Sequence, residues 1–165
     1  MIWVSINNMR YLIDTQILIW GIINPKKLSS FTKNILQSNE IFVSQITFFE
    51  IAIKQKIGKL PEFNLPIEAL HHRAKQDGFN VLSLKTQHIA AYHAIPLIPE
   101  HRDPFDRVLL ATALSEQFPI ISADANFKRY TPHVQVVINS WVQYRMDREP
   151  RANPSIIWLN SLSIW

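Results

Sequence analysis

The sequence predicts an α/β protein with a mainly parallel sheet covered by helices on both faces. Short apolar runs of strand character alternate with helical segments at close spacing, as in βαβ units whose sheet is buried on both sides. The 165 residues match the size of one domain. An apolar fraction of 47% against 18% charged residues supplies a core and is unlike a disordered chain.

Taken in order, residues 10–14 (R-Y-L-I-D) read as a short buried strand ending on a carboxylate. Residues 16–20 and 29–38 read as helices, with Ser29 or Ser30 as the N-cap of the second. Residues 40–44 form the next strand. The strongest helical signal covers 45–59, where Ile46, Phe49, Ile53 and Ile57 are spaced to share an apolar face. A helix over 66–76 is followed by Gly78, where a C-terminal cap belongs. A strand over 79–84, a short helix over 86–93 and a Pro-punctuated loop over 94–103 come next. The helix over 104–117 starts with Pro104, whose missing N–H costs nothing in a first turn. Strands over 119–123 and 134–138 complete the sheet, and no internal repeat is found.

The domain so defined covers residues 9–141. Residues 1–8 read as an N-terminal extension, with Met9 as an alternative natural start. Residues 142–165, basic and polar and then apolar, form a C-terminal tail of unknown role outside the alternating pattern.

Composition narrows the chemistry. With no cysteine, disulfides, thiolate metal sites and cysteine nucleophiles are excluded, which fits a cytoplasmic location. Lys and Arg outnumber Asp and Glu by 17 to 13, a modest basic excess compatible with a polyanionic partner. The N-terminus lacks a signal-peptide pattern, and no stretch has the length of a membrane span. The six histidines show no zinc spacing.

Four acidic residues are out of place, and each carries a structural reading beside a functional one. Asp14 ends the first strand, where open parallel sheets bind ligands, and could equally cap the helix after it. Glu50 lies on the strongest helix among apolar neighbours, where a carboxylate is costly without a cation or donors; the competing reading is a capping box with Thr47. In H-R-D-P-F-D-R, Asp103 is the natural N-cap, while Asp106 either answers the helix dipole or faces the sheet with Leu110, Ala113 and Leu114. Asp124 follows I-I-S-A at another strand end, or caps the turn over 125–130. Carboxylates at two strand ends and on two helices can converge on one point. Gathered carboxylates stay ionised only beside cations, and hard oxygen ligands select Mg²⁺ or Mn²⁺. Such ions support phosphodiester hydrolysis.

With these residues in place, the sequence resembles the PIN-domain ribonucleases, specifically the VapC-like toxins of type II toxin–antitoxin pairs. The matching pieces are Y-L-I-D-T at 11–15, V-S-Q-I-T-F-F-E-I-A-I-K at 43–54 and G-K-L at 58–60. They continue with H-R-D-P-F-D-R-V-L-L-A-T-A at 101–113 and I-S-A-D-A-N-F-K-R-Y at 121–130. The resemblance implies a three-layer α/β/α sandwich and a Mg²⁺- or Mn²⁺-dependent endoribonuclease. It implies Asp14, Glu50, Asp106 and Asp124 as catalytic, metal-holding acids, with Ser122 and Asp103 in support. RNA, a cognate antitoxin and a second copy of the chain are the implied partners. Lys54, Arg102 and Arg107 are candidate RNA contacts, with Lys56 and Lys59 nearby. Gln16, Phe48 and Phe49 depart from the usual pattern. The alternatives are a metal-dependent phosphoryl-transfer or receiver-type domain, and a toxin-like binding protein whose site is blocked.

Overall fold

A computed structural model describes residues 8–140 of the chain. The extension is thus described only at Asn8, and all of the tail lies outside the described residues. The described residues hold five strands, β1 (Arg10–Ile13), β2 (Glu40–Ser44), β3 (Asn80–Leu82), β4 (Ile120–Ser122) and β5 (Val136–Ile138). The helices are α1 (Thr15–Ile23), α2 (Ser30–Ser38), α3 (Gln45–Lys56), α4 (Ile67–Gln76), α5 (Thr86–Ala91) and α6 (Pro104–Glu116), with short 3₁₀ turns at 25–27, 92–94 and 125–130.

The strands form one sheet in the order β3-β2-β1-β4-β5, every pairing parallel. Neighbouring strand residues point to opposite faces and both faces are covered. Leu12 packs with Leu109, Leu110, Phe118 and Tyr130 on one side. Ile13 packs with Ile17, Leu18, Phe48 and Ile51 on the other. Ile120 and Ile121 divide in the same way. Sheets buried on two sides need apolar residues at consecutive positions, which is why these strands read as runs rather than alternations. The result is the three-layer α/β/α architecture that the sequence predicts.

The caps follow local chemistry. Ser29, not Ser30, caps α2, accepting from the Thr32 N–H at 3.1 Å. Ser44 caps α3, so the capping box with Thr47 does not form. Gly78 takes a φ of +89° after α4, as a helix-ending glycine can. Two expectations for α3 are corrected. The helix stops at Lys56 rather than at 59, because Gly58 adopts a φ of +72° and the Lys59 N–H turns back to the Lys54 carbonyl at 2.8 Å. Its buried residues are Thr47, Phe48, Glu50 and Ile51, while Phe49 is 59% and Ile57 57% exposed. Only part of the marked face meets the core: Ile46 packs against it half-buried, while Phe49 and Ile57 stay largely exposed. Among the described residues, no helix is long and apolar enough to cross a membrane.

The chain runs outward from β1 through β2 to β3 in one direction, then returns to β4 and continues to β5 in the other. This reversal opens a crevice between β1 and β4 at their carboxyl ends, the place where open parallel sheets bind ligands.

Candidate active site

Two carboxylates enter the crevice from strand ends. Asp14 follows β1 and is buried. Its Oδ1 accepts from the Ile17 N–H at 2.7 Å, capping α1. Its Oδ2 accepts from the Ser122 hydroxyl and from the Ala123 N–H, the latter at 3.1 Å. Asp124, two residues beyond β4, uses Oδ1 to accept from the Asn126 N–H at 2.8 Å and turns Oδ2 toward His101. For both residues the capping and site readings are compatible, since each caps the helix or turn after it while its carboxyl still lines the crevice.

Two more carboxylates arrive on helices. Glu50 of α3 is buried; one oxygen accepts from the Thr15 hydroxyl and the other pairs with the Lys54 ammonium one turn later. Asp106 lies in the first turn of α6. Asp103 caps that helix, its Oδ1 accepting from the Phe105 N–H at 2.8 Å, and so orients the turn. The cleft formed has a volume of about 370 Å³, and Asp14, Glu50, Asp106, Asp124, Lys54, Trp20 and Phe127 line it.

His101 is the residue that sequence reasoning missed. It is buried, and its Nε2 lies 3.0 Å from Asp106 Oδ2 and 3.5 Å from Asp124 Oδ2. Its Nδ1 meets the Tyr130 hydroxyl at 2.8 Å. One ligand atom from each of His101, Asp106 and Asp124 lies within 4.8 Å of the others. A search for paired histidine ligands passes over a single imidazole whose partners are carboxylates. The available signal was its position in H-R-D-P-F-D-R, five residues before Asp106.

The electrostatics reflect the crowding. Burial pushes the Asp106 carboxyl up to about 8, aided by the charges of Asp103, Glu50, Asp14 and Asp124. Burial also raises Asp14 to about 6, against the lowering influence of its hydrogen bonds from Ser122, Ile17 and Ala123. Burial works against the Lys54 charge, yet Glu50, Asp103 and Asp106 outweigh it and hold the ammonium above its ordinary value. A carboxylate set of this density suits a divalent cation, which would supply the missing positive charge; the imidazole widens the donor set beyond oxygen.

The candidate RNA contacts divide. Lys54 reaches into the cleft, and Arg102 is exposed, donating to the Pro99 carbonyl at 2.7 Å. Arg107 is buried instead of facing solvent. It donates to the Tyr92 hydroxyl at 3.0 Å and the Ile95 carbonyl at 3.1 Å, and its guanidinium lies over the Tyr92 ring. Those bonds hold the segment after α5 against α6 and leave no cation for a phosphate.

The family profile described as PIN domain matches residues 11–131. Among curated proteins the sequence finds no match. Similar solved structures include VapBC2 from Rickettsia felis bound to a promoter DNA fragment, at TM-score 0.57 and 16% identity, covering 80% of this chain and 100% of that one. DNA-bound VapBC from Salmonella typhimurium aligns at TM-score 0.55 and 18% identity, covering 80% and 99%. VapBC-1 from nontypeable Haemophilus influenzae aligns at 0.53 and 20%, covering 81% and 99%. At these identities the likeness is one of fold.

Proposed function

The chain belongs to the PIN domain family, and on that premise we propose that it is a divalent-metal-dependent endoribonuclease, the toxin of a toxin–antitoxin pair. The observation that carries the reading is the convergence of Asp14, Glu50, Asp106 and Asp124 on one cleft at the sheet's switch point. The structural relatives, solved as VapBC complexes or with DNA, support an antitoxin protein as a partner. The family match gives the phosphoryl-transfer and receiver-type alternative no support.

In this reading the four acids hold the metal, with His101 beside Asp106 and Asp124. A divalent cation, when bound, supplies a water acidic enough at neutral pH to attack a phosphodiester, and offsets charge on the departing oxygen. The chain's own groups prepare the cleft. Ser122 and the Ala123 N–H orient Asp14, and Thr15 orients Glu50. Asp103 sets the first turn of α6, and the Tyr130 hydroxyl holds the ring of His101. With an imidazole among carboxylates, Mn²⁺ suits the donors at least as well as Mg²⁺. RNA is the substrate, Arg102 and Lys54 are its candidate phosphate contacts, and the protein works in the cytoplasm, as a homodimer when free of antitoxin.

Cleavage of a labelled RNA pool with Mn²⁺ against EDTA tests the reading. Cutting that needs the metal and drops on the order of 100-fold or more in Asp106→Asn is expected, with the circular dichroism spectrum unchanged. Equal cutting by the two proteins, or cutting that survives EDTA, would remove the assignment.

A further inference from the structure

We propose that the Lys54 ammonium stands in for one divalent cation, so that the free protein holds a single divalent ion in its acidic cleft. The inference rests on the metal-dependent reading above and narrows its ligand set, since Glu50 then meets Lys54 in place of an ion.

The carboxylate oxygens are already sorted by what touches them. Both oxygens of Glu50 are engaged, one by Lys54 and the other by Thr15. Lys54 follows Glu50 by four residues on the same helix, the spacing at which a Glu–Lys pair is favourable. The pair is therefore set by the backbone of α3 rather than by chance meeting of two long side chains. Both oxygens of Asp14 are likewise hydrogen-bonded, to Ile17, Ser122 and Ala123. Asp106 and Asp124, in contrast, each turn an oxygen toward the Nε2 of His101, and one ligand atom from each of these three residues clusters within 4.8 Å. The cleft thus has one carboxylate with its own cation and a separate group of gathered ligand atoms.

Charge points the same way. Fully ionised, the four lining carboxylates carry four negative charges. Lys54 offsets one and a divalent ion two more, leaving a single negative charge. A second divalent ion would make the empty cleft net positive and would compete with Lys54 for Glu50. Take away the ammonium, and Glu50 becomes a buried carboxylate without a cation, which is strongly unfavourable. That deficit is what a second divalent ion would fill.

The test is equilibrium dialysis of the full-length protein against Mn²⁺, with electron paramagnetic resonance to detect spin-coupled ion pairs. Wild type and Lys54→Arg are expected to bind one Mn²⁺ per chain. Lys54→Met and Lys54→Gln are expected to bind two, close enough to couple. As a second measurement, Mn²⁺ should raise the Tm of Lys54→Met more than that of wild type, because the ion then relieves Glu50. Two ions in wild type, or one ion in folded Lys54→Met and Lys54→Gln, would overturn the role of Lys54 while leaving metal dependence intact. No Mn²⁺ bound by wild type would overturn the metal-dependent reading together with this one.

Discussion

Asp14 shows how one side chain carries a local and a global duty at once. Its Oδ1 caps α1 and its Oδ2 crosses to Ser122 and Ala123 on the neighbouring strand connection. The cap was legible in the sequence because its partner is three residues away. The link to Ser122, 108 residues distant, was not. Arg107 marks the opposite error. A cation beside two aspartates reads as a phosphate contact, yet the fold buries it against Tyr92 and Ile95. Arg107→Ala should therefore cost about 2–3 kcal/mol in urea unfolding, since it strands buried partners, while Arg102→Ala should stay within about 0.5 kcal/mol. Unchanged stability with weakened RNA binding in Arg107→Ala would restore the surface reading.

Elements were legible where a cap or a breaker announced them. Ser29, Asp103, Pro104 and Gly78 mark ends that the structure keeps. The end of α6 carried no such mark. The capping residue just past it, Gln117, sits in the left-handed region at φ 57°, while the Phe118 N–H reaches the Ala113 carbonyl at 3.0 Å. Side chains other than glycine's pay for that conformation. Gln117→Gly should stabilise the protein by about 0.5–1 kcal/mol, read as a higher unfolding midpoint in urea; a lower midpoint would show that the Gln117 side chain makes a contribution of its own. The misread face of α3 has a related cause. Apolar spacing identifies a stripe, but the angle at which α3 leaves β2 decides which stripe meets the sheet.

At the scale of the molecule, parallel strands put their carboxyl ends on one edge, and the reversal between β1 and β4 gathers the acids there. Such a cleft is self-repelling without a cation. A carboxyl with a raised pKa holds its proton more tightly in the folded than in the unfolded chain. The stability contributed by Asp14 and Asp106 is thus fully present below about pH 4 and lost as the pH rises through about 6 and then about 8. In EDTA, the Tm should fall across that window, and Asp106→Asn should remove the upper part of the fall. Mn²⁺ should restore more stability at pH 8 than at pH 5, because its binding displaces protons. A Tm in EDTA that climbs from pH 5 to 8 would contradict the crowding of these carboxyls.

By itself, the sequence determined the layer architecture, the helix caps and the identity of the four cleft acids. Each depends on a short-range signal: apolar runs long enough for two buried faces, a cap within three residues, or a carboxylate where solvent is absent. Only the tertiary structure decided that His101 joins Asp106 and Asp124, and that Arg107 is spent on packing. Those outcomes depend on where elements far apart in the chain meet, and on the low dielectric and shared hydrogen bonds that their meeting creates.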